Sequence, residues 1–167
     1  MDDAITEKFE QLNALFQEAS GLKDTTRRSP ALNDANTAAS QKFEQAAGIA
    51  RELLASSELP DDVRLHLEVY APYYSYESQA TLRGWHYERH ETADAEACHK
   101  RARTLLDEHT RQIEAKLKVA SEDNRSWLER TQRKADIFRG QDEVVSLSIA
   151  ARAAWDRGDF IAALDQY

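Results

Sequence analysis

Residues 82–106 read Leu-Arg-Gly-Trp-His-Tyr-Glu-Arg-His-Glu-Thr-Ala-Asp-Ala-Glu-Ala-Cys-His-Lys-Arg-Ala-Arg-Thr-Leu-Leu, and the fold turns on them. The stretch closes one helix, turns, and opens a second helix folded back on the first. Thr92 can cap the new helix, because its hydroxyl can accept from free N–H groups of the first turn, where acids also sit well. Ala95, His99 and Ala102 follow at spacings of four and three, which is one side of a helix.

The same design closes the chain between Ser148 and Tyr167. Gly158 can take a positive φ at little steric cost and so stops a helix. Asp159 is placed to cap the next one. Small residues at Ala151 and Ala154 let two helices approach closely. Phe160, Ala163 and Tyr167 fall on one face.

This pattern resembles the tetratricopeptide repeat, a family of paired helices. Ala151, Gly158, Phe160, Ala163 and Tyr167 match its small residue, turn Gly, aromatic, Ala and second aromatic in order. In the central stretch Gly84 and Tyr87 match the first-helix Gly and aromatic, and Ala95, His99 and Ala102 match the second helix. The central turn is one residue shorter than the family pattern, and Glu91 stands where Gly is usual. A third echo lies at Ala39, Phe43 and Ala46. The resemblance implies antiparallel helical hairpins, stacked as a right-handed α-α superhelix, whose first helices line a groove for peptides. It implies that Tyr73, Tyr76, Arg83 and Tyr87 contribute to that groove. Bare helical periodicity yields much of the same spacing, so an irregular helix bundle fits the residues as well.

Composition points the same way. The chain has 167 residues, enough for one domain with a real core, with 41% apolar and 31% charged residues, five Gly and three Pro. That is an all-α composition rather than a disordered one. No apolar run approaches the roughly 20 residues of a membrane span, and the N-terminus carries no secretory pattern. A single cysteine, Cys98, fits a reducing, cytoplasmic setting. The net charge is −8, and residues 101–139 hold ten Lys and Arg against seven Asp and Glu, so the rest of the chain carries −11. Such a balance argues against nucleic acid as a partner, which needs a concentrated basic face.

Working outward, Ile5, Phe9, Leu12, Phe16 and Ala19 make one helical stripe. Gly21 is expected to end that helix and an exposed loop to run over about 21–33, open to nicking. Arg27-Arg28-Ser29-Pro30 would suit a kinase. Asn33 or Asp34 can cap a second helix with the stripe Ala39, Phe43, Ala46, Ala50 and Leu53. Pro60, Asp61 and Asp62 open a third, with Val63, Leu67, Tyr70 and Tyr74 on one face. Pro72 is expected to kink or break it. Beyond Thr92, Leu106, Ile113, Leu117, Ala120, Asn124, Trp127, Thr131 and Phe138 share a recurring face. That segment is either one long helix with Asn124 as a polar break or two helices divided near Ser121. The cluster of capping residues favours the division. Gly140 is expected to end the segment, and Val144, Leu147, Ala151 and Ala154 form the next stripe.

Residues that could carry chemistry are few. His86 and His90 lie four apart, a spacing that can present two imidazoles to one metal. The Glu that zinc proteases place directly after the first His is absent, and Thr92 would turn Asp94 away. Glu96-Ala-Cys-His99 has no second copy to complete a di-iron site. Cys98 lacks an evident base. Arg157-Gly158-Asp159 is accounted for by turn and cap chemistry. No Gly-rich phosphate loop is present. Tyr and Trp near residues 70–87 suit a protein-binding surface instead. The expectation is a non-catalytic interaction or scaffold module for a protein or peptide, without cofactor, nucleic acid or membrane. It is expected to form a single domain, standing alone or as the N-terminal part of a longer protein. An oligomerisation bundle is the first alternative. A metal-dependent helical enzyme built on His86 and His90 is the second.

Overall fold

The computed structural model describes residues 3–28 and 33–166, with backbone only for residues 24–28, 33 and 34. It is all-α. The helices are α1 (Asp3–Arg28), α2 (Asn33–Leu54), α3 (Asp61–Glu88), α4 (Thr92–Leu117), α5 (Glu122–Asp156) and α6 (Phe160–Leu164). Each helix packs chiefly on its sequence neighbours. Cross-helix pairs fix their directions. Lys8 reaches Glu52 while Glu18 meets Lys42, so α1 and α2 are antiparallel. His66 stacks on Trp127, Tyr76 meets Phe138 and Arg83 pairs with Asp142, so α3 and α5 run parallel with α4 turned back between them. α3 and α4, of 28 and 26 residues, together far exceed the roughly 34 residues of a tetratricopeptide unit.

The stripes on α1 and α2 are buried where the periodicity puts them. Leu12, Ala19, Ala39, Ala46 and Ala50 are fully shielded, and Phe43 meets Phe16 edge-on with ring centroids 5.6 Å apart. The small residues of α2 let α1 and α3 close on it, and a buried Ser40–Ser78 hydrogen bond of 2.9 Å marks the approach of α2 to α3. Gly21 does not end α1, which runs on to Arg28. One Gly costs a helix only about 1 kcal/mol, which the packing of Ala19 and Leu22 beside it offsets. The expected loop over 21–33 is thereby reduced. Residues 29–32, with Ser29 and Pro30, lie outside the described residues, as do the side chains of the proposed caps Asn33 and Asp34.

Pro72 does not break α3. It frees the carbonyl of Glu68, but Leu67, Val69, Ala71 and Tyr74 around it are buried, so packing holds the turn against a cost of about 3 kcal/mol. The division near Ser121 is present, with α4 ending at Leu117 and Ser121 standing before α5. Gly140 does not end α5, which continues for 35 residues in all. Gly158 has a φ of 78° and Asp159 accepts from Ala162 N–H at 3.1 Å, as read from the sequence.

Three histidines, His66, His99 and His109, are pushed below their usual pKa by burial, with His99 partly restored by Asp142. The Nδ1–H of His109 donates to the Val69 carbonyl at 2.7 Å. A histidine depressed in the fold takes up its proton in the unfolded chain first, as pH falls through about 6.5. Stability is therefore whole above that pH and is lost below it. The free energy of unfolding from urea titration should drop between pH 7.5 and 5.5, by at most about 1.4 kcal/mol per pH unit for each histidine. His109→Gln, which can keep the bond to Val69, should flatten that slope; an unchanged slope would remove His109 from the account.

Candidate functional site

The tyrosine surface expected from the sequence is turned inward. Tyr76 is 6% exposed and Tyr73 is half-buried, stacked near Phe138 and hydrogen-bonded through its hydroxyl to Glu77 at 2.6 Å. Burial raises both phenols, Tyr76 to about 12, with the Arg83 guanidinium pulling it the other way. Arg83 is not free either. Its Nη1 donates to Asp142 Oδ1 at 2.8 Å and lies 3.3 Å from His99 Nδ1, with the Arg83 and Asp142 side chains 14% and 5% exposed. Tyr87 is half-buried beneath the Arg152 guanidinium, 4.7 Å from its ring centre. The correction has a simple cause. α3 packs between α2 and α4 along the chain and also meets side chains of α1 and α5, so consecutive tyrosines find different cores.

The pair His86 and His90 is also undone. α3 ends at Glu88, and His90 takes a φ of 62°, the left-handed turn position where Gly is usual. Its ring then leaves the face of His86 and meets Asp156 at 3.1 Å and Arg152 at 2.9 Å. His86 instead faces Glu91 at 2.7 Å, and Arg89 donates to the other Glu91 oxygen at 2.8 Å. Asp94, expected to point away, joins them: His86, Glu91 and Asp94 bring one ligand atom each within 4.8 Å. A His and two carboxylates could hold a divalent cation. Here Arg89 and His86 already engage Glu91 and hold its carboxyl below the usual range, so the cluster closes as an ion-paired staple of the α3–α4 turn.

The unusual surface lies on α5. Its inner face buries Leu128, Thr131, Ala135, Asp142 and Ile149. Ile137, Val144 and Leu147 point the other way and are 59%, 63% and 49% exposed. The stripe Val144, Leu147, Ala151, Ala154 was thus correctly spaced but only half of it is core. Ala151 and Ala154 are covered together with Ala163 of α6, whereas α6 has five residues and does not reach Leu147. Trp155, Phe160, Ile161 and Leu164 extend the exposed apolar area at that end, with Trp155 and Phe160 in edge contact at 4.9 Å. A second apolar series on the same helix, Leu128, Ala135 and Ile149 at steps of seven and fourteen, is the sequence signal that would have shown α5 to have two apolar faces.

A shallower groove runs between α2 and α4 over Pro72 and Ser75, lined by both signs of charge at Arg51, Glu68 and Glu108. Among the described residues no helix is long and apolar enough to cross a membrane. No family model matches the chain, nor does any curated protein or solved structure.

Proposed function

We propose that this chain is a non-catalytic protein-interaction module that holds its partner on the outer side of α5 and the adjoining α6. One observation carries the reading: α5 is apolar on two opposite sides and the fold covers one of them. Exposed apolar side chains set close together on one side of a helix mark an interaction site. The polar groups support the absence of catalysis. Arg83, Asp142 and His99 satisfy one another in the interior. Burial pushes the Cys98 thiol up, away from its reactive thiolate form.

The test is a photo-crosslinking amino acid placed at Val144 in the source cell, with Glu114, exposed on α4, as the control position. A discrete protein adduct at Val144 that is lacking at Glu114 is the expected result. Equal or absent crosslinking at the two positions would sink the proposal.

A further inference from the structure

Three ionisable side chains from three helices meet away from water. Arg83 of α3, Asp142 of α5 and His99 of α4 have side chains 14%, 5% and 7% exposed. Arg83 Nη1 donates to Asp142 Oδ1 at 2.8 Å and to His99 Nδ1 at 3.3 Å. A guanidinium only donates, so Nδ1 accepts and the ring is neutral, with its proton on Nε2. We propose that this triad is a proton-sensitive latch: protonating His99 releases residues 139–148 of α5 from α3 and α4 while the rest of the fold stands.

The closed arrangement resists the proton for a geometric reason. A proton on Nδ1 points at the guanidinium that now donates to that atom. Two cations then share one buried carboxylate, whose Oδ1 is 3.6 Å from the ring nitrogen. The other charges acting on the ring come from α4 itself: Arg103 opposes the proton and Glu96 favours it. Tyr76 of α3 also faces Arg83 and Asp142, but its phenol, raised to about 12, stays neutral. Burial outweighs the help of Asp142 and holds His99 below the usual histidine range. Opening to water removes that penalty, so the open form gains as pH falls through about 6.5. The place that gives is set by α5. Along residues 139–148 Asp142 alone is buried, so roughly three turns hang on the ion pair rather than on apolar packing. On α3 and α4 the reverse holds. Tyr76, Ala102 and Leu106 form an apolar cluster that keeps these two helices together when Asp142 leaves. Val144 and Leu147 lie in the released stretch, so the latch acts on the exposed face of α5 without depending on a partner there.

The experiment follows amide hydrogen exchange of the 167-residue chain by NMR at pH 7.5 and 5.5, corrected for the intrinsic pH dependence of exchange. Protection over residues 139–148 should fall about five- to tenfold, the most that one histidine supplies across this interval. The exchange there should be insensitive to low urea, because a local opening exposes little surface, whereas residues 43–53 of α2 should respond to urea as a global unfolding does. His99→Gln, whose side-chain oxygen can still accept from Arg83, should abolish the fall over 139–148. Titration of the His99 ring nitrogens in the parent should give a midpoint below 6.5. No fall, a fall unchanged in His99→Gln, urea sensitivity over 139–148 equal to that of α2, or a His99 midpoint at or above 6.5 would each overturn the latch. Should His99→Gln fail to fold, the urea dependence and the ring titration of the parent decide the matter.

Discussion

Replacing Asp142 by Ala should destabilise the fold by about 3–5 kcal/mol, because it strands the Arg83 guanidinium in the interior. The two side chains are 5% and 14% exposed and are joined at 2.8 Å, and the neighbouring His99 is 7% exposed. A charge left there has neither its partner nor water. Asp142→Asn should cost less, since an acceptor oxygen remains. Replacing both residues by apolar ones of similar size, Arg83→Met with Asp142→Leu, should recover most of the loss, because the desolvation of both charges is then avoided. Urea unfolding followed by circular dichroism measures all three, and for a chain of this length the Ala variant should melt roughly 6–20 °C lower. A loss under about 1 kcal/mol for Asp142→Ala would mean that water reaches Arg83 and that the pair is a surface one.

Phe43→Ala should cost a similar amount, about 3–5 kcal/mol, for a different reason. Phe43 is 1% exposed between α1 and α2, against Phe16 and beside Ala39. Deleting the ring removes its transfer free energy and leaves a cavity that two helices lined with small residues can only partly close. Phe160 is the internal control. It is 52% exposed, so Phe160→Ala should change stability by about 0.5 kcal/mol or less. If the two variants were equal in urea, the stripe on α2 would not be core.

These two residues differ in how far the sequence reveals them. Phe43 lies in a run of Ala39, Ala46, Ala50 and Leu53 whose spacing already puts it inside, and every member is buried. Gly158 and Asp159 were equally open to reading, because turn and cap chemistry acts over three or four residues; the break before Glu122 stands where it was read, although the Ser121 side chain makes no cap bond. Local rules overreached at Gly21, Pro72 and Gly140. Each was expected to end or bend a helix, yet α1, α3 and α5 run through them on packing supplied from other helices.

The sequence by itself therefore determined the all-α class, most helix starts and the inward stripes of α1 and α2, since periodicity and turn chemistry are properties of a few neighbouring residues; of the caps read at Thr92, Ser121 and Asp159, only Asp159 makes its bond, and Thr92 is the first residue of α4 rather than its cap. Only the tertiary structure decided what happens to the rest. It packed α3 among its neighbours so that Tyr76 is core, Tyr73 is half-buried against it, and Arg83 meets Asp142, 59 residues away along the chain. It turned His90 out of line with His86 through a left-handed residue. It left Val144 and Leu147 uncovered beside buried Ala151, because one apolar stripe looks the same in sequence whether or not a helix lies over it. Which stripe becomes core depends on which helices lie against it, and that is a property of the assembled array.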